Sequence, residues 1–147
     1  MPTYFFLINL MILPILAYFF AAKIHKWSIY LFTISAIVAV VSIIFYENPL
    51  FSYINDGFLG LSYLIIVMIT GAFNKNTKFA KRLFMVRKEY SIIGFTLIIP
   101  HGLIFLYYSL IGSVAFEWFG IISFVVMIPL FITSYHFIKK KMGINAW

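Results

Sequence analysis

The sequence predicts an all-α, polytopic transmembrane helical bundle with five spans, which forms a single domain over residues 1–147. Hydrophobic residues make up 64% of the chain and charged residues only 10%, whereas charged residues are about a quarter of an ordinary soluble domain. The 11 Lys and Arg residues fall in three stretches, and five apolar segments carry no charge. Because backbone polar groups in lipid must be paired internally and alternating strands are lacking in the sequence, these segments are predicted to be helices.

Each predicted element follows from its length and flanks, since about 20 apolar residues cross a hydrocarbon core of about 30 Å. The spans are placed at residues 4–22, 27–46, 57–73, 91–112 and 118–138. The first span has no positively charged segment before it, so we interpret it as a retained helix rather than a secretory signal. Trp27, Trp118 and Trp147 lie at predicted span ends, where indole rings favour the headgroup layer.

Two connections between the spans carry information. Residues 47–56 contain Asn48-Pro49, which is a turn signal. Residues 74–90 are longer and carry six basic residues interleaved with apolar ones, which predicts a short helix lying in the inner interface. This segment is a topology anchor, which we favour, or a docking surface for an electron donor or an anionic lipid.

Charge asymmetry predicts the orientation. Basic residues follow the first, third and fifth spans, whereas Glu47, Asp56 and Glu117 follow the second and fourth. Since Lys and Arg near span ends mark the cytoplasmic side, we expect a multi-pass protein of the cell membrane with its N-terminus outside and its C-terminus inside. The net charge of +7 collects at helix ends rather than along one face, which argues against nucleic-acid binding.

The composition also excludes several kinds of site. The chain has no Cys, which rules out disulfides, thiolate catalysis, iron–sulfur clusters and zinc–thiolate sites. It has no Gly-rich phosphate loop, so we expect no flavin or nicotinamide site in this chain. No charged residue is expected inside a span, which counts against an ion-coupled transporter.

Histidine is the remaining candidate for chemistry. His101 comes ten residues after Ser91, which is about 15 Å along a helix and therefore near the expected midplane. An imidazole at that depth is costly without a partner, so His101 is either a functional site or a hydrogen-bonded packing contact. His136 and His25 are expected at the inner boundary and in the inner loop, where water or headgroups can reach them.

The neighbours of His101 suit a flat cofactor. Pro100 removes a helical hydrogen bond and Gly102 leaves space for a close neighbour, although both residue types are ordinary in membrane helices. A neutral imidazole in an apolar bundle fits haem iron. His101 and His136 differ in expected depth by about 10 Å, too much for one iron. If haem binds, its second axial ligand is therefore expected outside this chain.

Several motifs around these residues carry a family resemblance. The adjacent basic pair Arg87-Lys88 is followed by His101, thirteen positions after Lys88. An apolar run with aromatic residues comes next, Leu103-Ile104-Phe105-Leu106-Tyr107. The later motifs are Thr133-Ser134, Lys140-Lys141, Gly143 and Trp147. Over residues 57–147 this pattern resembles the ferric-reductase-like transmembrane family, which includes ferric reductases, NADPH oxidases and the haem-bearing membrane subunit of the periplasmic methionine sulfoxide reductase system.

The resemblance implies an electron carrier that binds haem b and is the membrane component of an oxidoreductase. Electrons would pass from a cytoplasmic donor of flavin or quinone type to an external acceptor. His101 would be the axial ligand, with Pro100 and Gly102 shaping its surroundings. Arg87 and Lys88 would face the haem propionates or the donor, since cations pair with carboxylates.

The chain departs from the family pattern in ways that limit this expectation. Ser91 stands where the family often has glycine, and Val114 stands where two-haem members have a second histidine, so at most one haem is expected on this helix. The family's partner histidines lie on a helix that would follow Trp147. A missing sixth helix or a partner chain would then supply the second ligand. The alternative is an accessory or structural membrane subunit without a cofactor.

Overall fold

A computed structural model describes residues 2–74, 76–115 and 118–133 of the chain. Over these residues all regular structure is helical and no strand occurs, which confirms the all-α prediction. The helices are α1 (Pro2–Lys26), α2 (Ser28–Ile44), α3 (Ser52–Asn55), α4 (Phe58–Thr70), α5 (Lys78–Leu110) and α6 (Trp118–Thr133). The chain divides into two compact units, Met1–Ile104 and Phe105–Trp147.

Two of the described helices are long and apolar enough to cross a membrane, namely Tyr4–Lys26 and Lys78–Leu110. The apolar helices Ser28–Ile44, Phe58–Thr70 and Gly120–Pro129 are shorter. Only 17% of the apolar window of α1 is buried, so large apolar side chains cover much of its surface. Exposed apolar area on this scale marks a surface that contacts lipid or another protein.

Helix α5 begins 13 residues before the predicted fourth span. Residues 78–90 continue without a break into residues 91–110, giving one helix of 33 residues, so the predicted separate interfacial helix within residues 74–90 is wrong. No Gly or Pro interrupts the sequence between Lys78 and Ile93, and the Thr77 hydroxyl accepts a hydrogen bond from the Ala80 N–H at 3.2 Å. The capped, helix-favouring stretch therefore extends α5 toward its N-terminus.

The core of the Met1–Ile104 unit forms where α1, α4 and α5 meet. Its buried members are Leu13, Ala17, Ala21, Ile66, Leu83, Val86 and Tyr90. The Tyr90 hydroxyl donates a hydrogen bond to the backbone oxygen of Leu13 at 2.9 Å, which joins α5 to α1. A Cβ added to Gly60 would lie 2.8 Å from the Gly94 oxygen, so the backbones of α4 and α5 touch, as small residues permit between packed helices.

Ring contacts fix the register of α4 against α5, which run antiparallel. Phe73 lies 5.5 Å from Phe79, and Tyr63 lies 5.1 Å from Tyr90, between ring centroids. Tyr18 of α1 lies 6.1 Å from Phe79, so the last turns of α1 accompany the first turns of α5. We call this the basic end of the unit, because it carries Lys23, Lys26, Lys78, Lys81 and Arg82.

Candidate functional site

His101 lies at the end of the α4–α5 pair opposite the basic end. Its Nδ1 is 2.9 Å from the backbone oxygen of Asn55, the last residue of α3. His101 thus contacts the connection that precedes α4, and its depth in a membrane stays a prediction.

The hydrogen bond determines the tautomer of the His101 ring. A carbonyl oxygen only accepts, so Nδ1 carries the proton, and in the neutral ring the lone pair lies on Nε2. Gly57 lies against the ring, since a Cβ at that position would be 3.0 Å from the imidazole Cγ. Gly57 also has φ 79°, a left-handed conformation that favours glycine. Glycine meets both conditions, because it has no Cβ and tolerates a positive φ.

The structure places the other predicted site residues at different levels of α5. Pro100 is buried and Gly102 is half-buried, and both remain helical beside His101. Arg87 and Lys88 are exposed. Lys88 precedes His101 by thirteen residues, which is about 20 Å along the helix. The basic pair thus does not contact the imidazole.

The hydrogen bond of His101 is of the kind that metal-binding histidines make. Metal-binding histidines usually donate their second ring N–H to a carbonyl or carboxylate, which fixes the ring and exposes the other lone pair to the metal. Within the described residues, no group of three or more His, Cys, Asp or Glu side chains could hold a metal ion. His25 is engaged elsewhere, and His136 lies outside the described residues. Of the two described histidines, His101 is therefore the candidate ligand, because His25 contacts Glu89.

A second polar pair was missed by the sequence prediction. Glu89 of α5 is only 2% exposed, and its Oε1 lies 2.8 Å from Nδ1 of His25 on α1, whose side chain is 64% exposed. The second carboxylate oxygen, Oε2, is buried and has no hydrogen-bond partner among the residues that the structure describes. Glu89 precedes the predicted fourth span by two residues and belongs to the long helix α5.

The sequence did contain a signal for this burial. Leu83, Val86 and Tyr90 recur at helical spacing and all are buried. Glu89 follows Val86 by three residues, so it lies on the same face of α5. The spacing of the apolar residues in 74–90 predicted a helix, but the apolar face of that helix was assigned to the membrane interface and not to packing against α1 and α4.

A cleft opens at the basic end between α1 and α5. It has a volume of about 330 Å³ and is lined by Tyr18, Phe19, Lys78, Lys81 and Arg82. Among the described residues, the one contact between a basic side chain and a carboxylate is that of His25 with Glu89, so the three cations of the cleft have no carboxylate partner there. Cations in this arrangement attract phosphate or carboxylate groups.

Comparisons with known proteins do not assign the chain to a family. No family model matches it, and no curated protein or solved structure matches it. The resemblance to ferric-reductase-like proteins therefore rests on sequence motifs. Of these motifs, Arg87, Lys88 and His101 lie within the described helices, whereas residues 134–147 lie outside them.

Proposed function

We propose that this chain is the membrane part of an electron carrier of the ferric-reductase-like kind, with Nε2 of His101 as one axial ligand of haem b. The observation that carries the proposal is the hydrogen bond from Nδ1 to the Asn55 oxygen at 2.9 Å. It orients the ring and puts the lone pair on Nε2, as metal ligation requires. A bound haem would supply a site that takes up and releases one electron at a time.

The membrane setting is part of this proposal. We propose five spans, an outer N-terminus and a cytoplasmic C-terminus in the cell membrane. The support is the exposed apolar surface of α1 together with the distribution of charge in the Met1–Ile104 unit. Lys23 and Lys78 lie at the basic end, whereas Glu47 and Asp56 belong to the α2–α4 connection near His101. Lys and Arg at one end of a bundle favour the cytoplasmic side.

The proposed electron path needs groups from outside the described residues. A sixth helix or a partner chain would supply the second axial ligand, because the described residues offer only His101. A cytoplasmic donor of flavin or quinone type and an external acceptor would complete the path. Arg87 and Lys88 are exposed, which suits contact with an anionic donor or with haem propionates.

The visible spectrum of the purified protein tests this proposal. The full chain is expressed with a haem supply, extracted from membranes in detergent, and measured before and after reduction. We expect a Soret band that shifts on reduction, which His101→Ala abolishes and His25→Ala retains. A protein that stays colourless after reconstitution with haem and free imidazole, which can take the place of the second ligand, or a His101→Ala variant with an unchanged spectrum, would contradict the proposal.

One observation favours a second candidate function, an accessory or structural membrane subunit without a cofactor. The hydrogen bond between His101 and Asn55 joins residues 46 positions apart, so it also fastens the α3–α4 connection to α5. Under this alternative, His101→Ala lowers the midpoint of thermal unfolding while the wild-type protein binds no haem. The same two preparations therefore distinguish the candidates.

A further inference from the structure

We propose that the cleft at the basic end binds the phosphate headgroup of an anionic phospholipid. The cleft lies between Tyr18 and Phe19 of α1 and the first turns of α5. This inference rests on the proposed membrane setting and is independent of haem binding. It assigns a ligand class to a site that the electron-transfer proposal does not use.

The cleft concentrates positive charge that the protein does not neutralise. Lys78, Lys81 and Arg82 stand at positions i, i+3 and i+4 of one helix, so they are neighbours on its surface and repel one another. Residues 1–46 and 57–88 contain no Asp or Glu, and the nearby carboxylate of Glu89 is bonded to His25. A bound anion would therefore compensate charge that water and free ions otherwise screen.

The shape and the walls of the cleft favour a lipid over a free phosphate ion. A cleft of about 330 Å³ accommodates a glycerophosphate group. Phe19, at the edge of the cleft, is 67% exposed, and exposed apolar side chains continue along α1 through Leu16 and Ile15. Acyl chains can lie along that surface while the phosphate meets the cations.

The arrangement differs from what membrane topology alone requires. A topology signal depends on the number of cations near a span end, whatever their positions. Here three cations, a phenol and a phenyl ring surround one cavity, and Phe79, the residue between Lys78 and Ala80, packs against Tyr18. If the cleft is such a site, its cations should contribute more to lipid binding than equal charges elsewhere at the basic end.

Native mass spectrometry of the full chain in detergent tests the site, with phosphatidylglycerol titrated against phosphatidylcholine. The test variant is Lys81→Gln/Arg82→Gln. The matched control is Lys23→Gln/Lys26→Gln, which removes two positive charges from the same end without touching the lining of the cleft. Since each basic contact with an anionic lipid is worth about 1 kcal/mol at a membrane surface, we expect the test variant to bind phosphatidylglycerol about ten-fold or more weakly than wild type. The control should change by less than about three-fold, because general attraction is screened by salt.

Three outcomes would overturn the lipid site. Equal binding of phosphatidylglycerol by wild type and test variant would show that the lipid does not use the cleft. A loss of binding in the control as large as in the test variant would show general electrostatic attraction and no specific site. Full displacement of the lipid by millimolar inorganic phosphate would identify a site for the soluble ion. Absence of the wild-type protein from carbonate-washed membranes would instead refute the membrane setting itself, so the two failures are distinguishable.

Discussion

Removal of the His25 imidazole should destabilise the Met1–Ile104 unit by acting on Glu89. The carboxylate is 2% exposed and its Oε1 has His25 as its partner at 2.8 Å, while Oε2 has none among the described residues. In His25→Ala, neither oxygen retains a partner among the residues that the structure describes. Leaving a buried acceptor unsatisfied costs about 1–3 kcal/mol, and more if it is charged.

The magnitude depends on how readily water replaces the imidazole. The His25 side chain is 64% exposed, so solvent can reach the vacated position, and the loss should fall below the 3–5 kcal/mol typical of a fully buried pair. We expect about 2 kcal/mol, which lowers the Tm of a domain of this size by roughly 10 °C. Lys26→Ala, a change at an exposed neighbour, should stay within about 0.5 kcal/mol.

Thermal unfolding in detergent, followed by circular dichroism, measures the effect. The double variant His25→Ala/Glu89→Leu provides the decisive comparison, because an apolar residue of similar size removes the buried carboxylate altogether. It should recover wild-type stability or exceed it. A His25→Ala protein as stable as wild type, or a double variant less stable than His25→Ala, would refute the reasoning.

Three further substitutions test the contacts that position α5. Gly94→Ala should lower the free energy of unfolding by about 1–3 kcal/mol through overpacking, because a Cβ there would lie 2.8 Å from Tyr63 Cβ. In the control Gly71→Ala, the nearest atom to the added Cβ is 3.4 Å away, so this variant should unfold near the wild-type temperature. Tyr90→Phe removes the hydrogen bond to Leu13 and should lower the free energy of unfolding by about 1 kcal/mol, whereas Tyr107→Phe, at a 61% exposed side chain, should leave it unchanged. Gly57→Ala puts a side chain at a φ of 79° and a Cβ 3.0 Å from the His101 ring. It should lower the free energy of unfolding by about 1–3 kcal/mol and alter the spectrum of any haem bound to His101. A variant with wild-type stability and spectrum would show that the ring does not depend on this contact.

The helical character of the chain could be predicted because it depends on local composition. Uninterrupted apolar residues, bounded by charges and aromatic residues, mark α1, α2, α4 and α6 in the sequence. The start of α5 was missed because Lys78 to Lys88 were interpreted from their charge, whereas a helix tolerates exposed Lys and Arg on one face when the opposite face packs. Leu83 and Val86 provide that packed face.

The candidate site could be predicted only in part, because its partners are distant in the sequence. His101 was identified from its apolar surroundings, but the residue that orients it, Asn55, lies 46 positions away. Glu89 and His25 are 64 positions apart, and their contact follows from the packing of α1 on α5. Periodicity along one helix indicates which face is buried, but it does not indicate which residue of another helix meets it.

Chemical rescue of a ligand variant tests the central claim most directly. In His101→Gly, loss of the imidazole should remove the Soret band, and added free imidazole should restore it by taking the vacated axial position on the iron. His25→Gly, which keeps His101, should show the Soret band before any imidazole is added. Haem binding that persists in His101→Gly without imidazole, or a wild-type protein that takes up no haem even with imidazole present, would contradict the account.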